Sequence, residues 1–311
     1  MKLVRMGLAL SFVLWTNSAL AWNGRGHMIV AAVAWTHMTP ASQARAAALL
    51  KLNPMYATWI SGVPAAKQDQ VAFVVAATWP DIIKHTTGYT NDGEKPINPG
   101  ASQNIGYSDK LMHKYWHYID VPFSPDHTPL VQPIPPNAET QIEAFRTAIA
   151  SPPSDDVESY DMVWLEHLVG DVHQPLHATS RFTKTFPSGD QGGNLVCLTT
   201  SCSSELHAFW DNALGLQTSG ASDADNAMAA IAVAAGLAAA PPVAAGDGDD
   251  THWIKESFTI AKKSVYATPI KNGKGPYKLT AAYKAKAAKI AKQRAELAGE
   301  RLANLYNSDL H

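Results

Sequence analysis

The chain has 311 residues, 46% hydrophobic and 17% charged, with 25 Lys and Arg against 27 Asp and Glu for a formal net charge of −2. That length suits one large domain with a substantial core. The slight acidity excludes a protein that coats duplex nucleic acid through a broad basic face and counterion release.

The first residues, Met1-Lys2-Leu3-Val4-Arg5, lead into an apolar run from Gly7 to Trp15 and then Ala19-Leu20-Ala21. A basic start, a short apolar core and an A-x-A site form the pattern of a secretory signal. The apolar run is too short for a comfortable membrane span, although a retained anchor is the competing reading. Cleavage after Ala21 would leave 290 residues with Trp22 at the N-terminus, one domain over residues 22–311. The leader takes two basic residues and no acid, so the mature charge would be −4. The expected product is exported, periplasmic or secreted, with no membrane span after processing and no protein partner implied.

Helical periodicity dominates the rest of the chain. Helices are expected over about 26–37, 41–51, 70–85, 138–150, 160–172, 205–215, 224–239, 251–266 and 279–306. Strand signal is confined to a short hairpin from Gly193 through Cys202, so the fold class is all-α, a multi-helix bundle. Two long connections, 86–110 and the proline-rich 122–136, break the pattern. Cys197 and Cys202 are the two cysteines; export favours a disulfide between them, with a metal pair as the alternative. The lysines of the last helix read as a solvated face.

The chemistry concentrates in His167–His177, H-L-V-G-D-V-H-Q-P-L-H. His167 and Asp171 are four apart, on one face of a helix, and Pro175 ends that helix so that His177 arrives from the turn. Imidazole nitrogen and carboxylate oxygen are the usual zinc donors, yet one such pair is ordinary on a helix. A second pair, His207 and Asp211, repeats the spacing. His117, among aromatics, and Asp81, at the end of an apolar run, add two polar groups that need partners if buried. His27 follows Trp22 by five residues, and a freed α-amino group with its own carbonyl can chelate a metal. His173, in the same motif, is assigned packing or support of the ligands.

Together these residues resemble the zinc-dependent, single-strand-specific nucleases of the S1/P1 type, in the superfamily that includes zinc-dependent phospholipase C. The resemblance rests on the opening tryptophan and histidine, W-P-D at 79–81, H-Y-I-D at 117–120, the 167–177 motif, G-G-N at 192–194, H-A-F-W-D at 207–211 and L-A-G-E-R-L-A at 297–303. It implies a helical domain around a trinuclear zinc cleft. Asp81, His117, His167 and Asp171 would hold one ion. Trp22 and His27 would hold a second, bridged by Asp171, and His177, His207 and Asp211 a third. Three divalent ions against three carboxylates would leave roughly three net positive charges, attracting phosphate to an acidic protein.

The implied reaction is phosphodiester hydrolysis of single-stranded DNA and RNA to 5′-phosphorylated products, with 3′-nucleotides as further substrates. Asp120 would orient the nucleophile, Tyr118 would stack on a base, and Asn194 and Asn212 would contact the substrate; wall packing is an equal reading for Tyr118. Two other functions compete. Phospholipase C is opposed by the short Trp22-to-His27 gap and by Asp211, where the phospholipases use glutamate. A non-catalytic zinc protein is opposed by the filling of every expected ligand position.

Overall fold

A helix buried on all sides lies at the centre of the molecule. In the computed structural model, which describes residues 22–96, 110–237 and 239–310, it is Asp155–His173, and every side chain from Glu158 to His173 is buried. Its start is set by Ser154, whose hydroxyl accepts from Val157 N–H, and by Asp155, Asp156 and Glu158 in the first turn, which suit the positive end of the helix dipole. Pro175 prevents continuation beyond Gln174.

The helices in order are α1 (Gly24–His37), α2 (Pro40–Leu50), α3 (Tyr56–Trp59), α4 (Gln68–Ala76), α5 (Trp79–Ile82), α6 (Ala138–Ile149), α7 (Asp155–His173), α8 (Leu206–Asp211), α9 (Asp223–Ala234), α10 (Pro242–Ala245), α11 (Asp250–Ile260) and α12 (Ala281–Asp309). α1 packs on α12, α9 and α4, while α7 packs on α6, α12, α2 and α11. The protein is all-α, as its periodicity indicates, and no helix among the described residues is long and apolar enough to cross a membrane. The signal region, residues 1–21, and residues 97–109 of the first long connection lie outside the described residues.

Two expectations need correction. The helix expected over 70–85 is broken: α4 stops at Ala76, Thr78 bonds its hydroxyl back to Val75 O, and Pro80 sits in the first turn of α5. The β element is not a hairpin at 193–202. It is a parallel pair of two-residue strands, β1 (Pro122–Phe123) and β2 (Ser180–Arg181). The expected disulfide is present, with the Cys197 and Cys202 Cα atoms 4.8 Å apart, and Cys202 takes a left-handed φ of 54°. Around it the described residues form a single antiparallel bridge, Cys197 with Glu205, in place of a hairpin.

Tryptophan fills the core. Trp22, Trp59, Trp116, Trp164, Trp210 and Trp253 are essentially fully buried. Each removes about 150–250 Å² from water, worth roughly 4–6 kcal/mol at about 25 cal/mol per Å². Trp164, on α7, meets Trp79 and Trp116 edge to face and also faces the His117 ring. The bottom of α7 is clamped by charge: Arg301 Nη1 donates to His173 Nε2 at 2.9 Å and, with Nη2, to Glu256. His173 therefore supports α7 from the side facing α11 and α12.

Candidate metal centre

Five structural elements converge on one face of α7. α1 brings His27, α5 brings Asp81, and the short turn Lys114–His117 brings His117. α7 contributes His167 and Asp171, the turn Pro175–Ala178 contributes His177, and α8 contributes His207 and Asp211. All eight side chains are buried.

The donor atoms fall into three groups. In the first, His167 Nε2 and His117 Nδ1 are 2.9 Å apart, and Asp171 Oδ2 is 3.3 and 3.1 Å from them. Asp81 Oδ1 lies 3.7 Å from both nitrogens. In the second, His27 Nε2 is 3.2 Å from Asp171 Oδ1, and the His27 ring stacks on His167 with centroids 3.8 Å apart. In the third, His177 Nε2 and His207 Nε2 are 3.0 Å apart, with Asp211 oxygens at 3.9 and 3.6 Å. Asp171 thus joins the first two groups through its two oxygens.

These separations fit a cation. Two ligands about 2.0–2.1 Å from a tetrahedral zinc are about 3.3 Å from each other. The tautomers agree. His167, His177 and His207 each donate from Nδ1 to a backbone carbonyl, of Ala77, His117 and Gly192, at 2.7, 2.7 and 2.8 Å. Each therefore turns an Nε2 lone pair inward, and the close pair His177–His207 would repel without a cation between them. Gln174 Nε2 supports the third group by donating to Asp211 Oδ1 at 2.6 Å.

Burial shapes the electrostatics. It lowers His167 and His207 to about 4 and raises Asp171 to about 7, with Asp211 well above the usual carboxylate range. Burial acts against ionised Asp81 as well, but Lys84, 2.7 Å away, outweighs it and holds Asp81 at about 2. Neutral imidazoles and carboxyls that resist ionisation are what a metal-free ligand cluster should contain.

Glycine makes the approach possible at two points. A Cβ on Gly170 would stand 2.9 Å from His27 Nδ1, so the close contact of α1 with α7 needs the missing side chain. Gly192 has a φ of 58° and would meet Leu176 O at 2.5 Å, while its own carbonyl orients His207.

The family model described as S1/P1 Nuclease matches residues 22–311. The chain belongs to this nuclease family. A curated relative, Endonuclease 4 of Arabidopsis thaliana, is 25% identical over 216 residues, covering 63% of this chain and 56% of its own length. The chain is thus aligned with little more than half of that relative.

Beside the donor groups, the chain has a cavity of about 490 Å³ lined by His117, His177 and His207 together with Tyr118, Asp120 and Asn194. Tyr118 donates its hydroxyl to Glu94 O, and Asn194 Nδ2 donates to Gln191 O at 2.7 Å. Burial raises Asp120 to about 6. Asn212 does not line this cavity. Its Oδ1 accepts from Asn23 Nδ2 at 2.6 Å, and Asn23 N–H in turn reaches Asp211 O, so Asn212 fixes the segment around buried Trp22. Lys84 was not singled out from sequence. Its one local signal is the i, i+3 spacing from Asp81, and only the fold shows that both side chains are buried and 2.7 Å apart.

Proposed function

We propose that the chain is a zinc nuclease that cleaves single-stranded DNA and RNA to 5′-phosphorylated products and releases phosphate from 3′-nucleotides. The observation that carries this reading is the convergence of the three His/Asp groups beside a cavity containing an aromatic ring. In this reading there are three ions: on Asp81, His117, His167 and Asp171; on His27, Asp171 and the amino nitrogen and carbonyl of Trp22; and on His177, His207 and Asp211. The second set requires residues 1–21 to be removed, in keeping with an exported protein. The family match beginning at Trp22 supports that boundary.

When bound, zinc supplies an ionised water near neutral pH and stabilises charge on the leaving 3′-oxygen. The chain's own residues do the positioning. Asp171 ties two donor groups into one rigid unit, and Lys84 offsets the buried charge of Asp81. Asp120, at the cavity wall, orients the attacking water through its carboxylate. The cavity admits one unstacked base against Tyr118, whereas a duplex keeps its bases stacked and its phosphates away from a recess. Asn194 lines the same cavity and contacts the substrate there, while Asn212 acts indirectly by holding Asn23.

Parallel assays on heat-denatured DNA, 3′-AMP and phosphatidylcholine test the reading. Chelator-sensitive cleavage of the DNA and dephosphorylation of 3′-AMP are expected. Lipid turnover without DNA cleavage would make the protein a phospholipase C, and a fully metallated protein inert on all three would make it a non-catalytic zinc protein.

Tyr118→Ala should raise KM for single-stranded substrate by about 5–150-fold, since a stacked base contributes about 1–3 kcal/mol, with zinc content unchanged. Unaltered KM would reduce Tyr118 to wall packing.

Zinc affinity should also depend on pH. With Asp171 raised to about 7 and Asp211 raised well above the usual carboxylate range, metal binding must displace their protons, so affinity falls as pH drops through 7 towards 5. His167 and His207, at about 4, stay neutral over that range and add nothing to the fall. Competition against a zinc indicator measures this, and a flat profile from pH 7 to 5 would contradict a coordinating role for these two carboxylates.

A further inference from the structure

The negative charge of this protein conceals an asymmetry. Residues 255–293 contain ten lysines and one acid, a local charge of +9, whereas the other fifteen basic and twenty-six acidic residues leave −11. All ten lysines are exposed. The lysine–carboxylate ion pairs among the described residues involve Lys51, Lys84 and Lys114 instead.

Part of this basic stretch is fastened to segments that adjoin the cavity. Arg181 Nη1 donates to Lys271 O at 2.8 Å, and Thr183 Oγ1 donates to Asn272 O at 3.0 Å. Cys197 N–H donates to Lys274 O at 2.8 Å, and Tyr277 N–H donates to Cys197 O at 3.0 Å. Cys197 is disulfide-linked to Cys202, which lines the cavity with Asn194, Leu195 and Glu205. The loop 271–278 is therefore held next to the cavity by its backbone, leaving its lysine side chains in solvent.

We propose that Lys271, Lys274 and Lys278 form an outer site for the phosphate backbone of a single strand whose reacting nucleotide lies in the cavity. Exposed lysines on a fixed loop can follow a flexible strand without reading its sequence, and each neutralised phosphate releases counterions. The inference rests on the nuclease reading above and adds a preference for polymers over mononucleotides. A loop with merely solubilising lysines would show no such preference.

The test compares the zinc-loaded enzyme with the triple variant Lys271→Gln/Lys274→Gln/Lys278→Gln. A second variant, Lys284→Gln/Lys289→Gln/Lys292→Gln, removes equal charge from the exposed side of α12. Binding of a fluorescent phosphorothioate oligothymidylate is measured against salt, alongside 3′-AMP hydrolysis. The loop variant should weaken binding on the order of tenfold at low salt and reduce the salt slope by about 2, at about 0.7 per lost contact. Its 3′-AMP hydrolysis should be unchanged, and the α12 variant should bind like the parent. Equal binding by all three proteins, or equal weakening in both variants, would overturn the assignment. Loss of 3′-AMP hydrolysis in the loop variant would do so too, by placing the lysines in the mononucleotide site. Failure of the unmodified enzyme to hydrolyse either 3′-AMP or denatured DNA would instead count against the nuclease reading, while the binding arm still judges the lysines.

Discussion

Asp171→Asn should abolish phosphodiester hydrolysis while leaving the fold intact. One Asp171 oxygen lies 3.1 Å from His117 Nδ1 and 3.3 Å from His167 Nε2, and the other lies 3.2 Å from His27 Nε2. An amide keeps the volume but loses the charge and one of the two oxygens. Losing an outer partner of a metal ligand typically costs about 10–100-fold, so losing the bridge itself should exceed about 10³-fold in kcat on denatured DNA. Stability without metal should move the other way. Folding raises Asp171 from its ordinary 3.8 to about 7, so the folded state holds a proton that the unfolded state releases. Metal-free stability therefore falls as pH rises from about 4 to 7 and carries the full penalty above 7. The asparagine variant, stripped of zinc, should melt at or above the parent at pH 8. Near-normal turnover with full zinc occupancy, or unfolding of the stripped variant, would remove Asp171 from its bridging position.

Blocking the amino group of Trp22 should be the other large effect. Trp22 is buried, and Asn23 holds the segment by donating to Asn212 and Gly215 at 2.6 and 2.7 Å. A protein carrying extra residues before Trp22 keeps these bonds yet replaces the amine with an amide, which cannot offer a nitrogen lone pair. It should bind one zinc fewer, or bind it much more weakly, and lose most of its activity. Metal analysis that finds three tightly held ions in the extended protein would refute the free-terminus argument.

What could be read from sequence depended on whether a signal was local. The i, i+4 pairs His167–Asp171 and His207–Asp211 need only helical geometry, and the structure places both pairs inward as that spacing requires. The Pro175 turn that presents His177 was equally legible. The break after Ala76 was not, because hydrophobic periodicity runs through it; Thr78 and Pro80 were weak punctuation inside a strong apolar pattern. The parallel β1–β2 pair joins segments nearly sixty residues apart and has no local signature. Asn212 illustrates a different limit. Its sequence neighbour Asp211 turns inward, but only the tertiary position of Asn23 shows where the Asn212 amide is used. The lysine stretch was visible as composition, yet its attachment beside Cys197 emerges only from the backbone bonds of the loop.

The most direct measurement is a zinc titration of the processed protein after complete chelator stripping, read as cleavage of heat-denatured DNA. The three donor groups predict no activity at the outset and a rise that reaches its plateau at three equivalents per chain. Full activity in the stripped protein, or a plateau at one equivalent, would contradict the trinuclear centre.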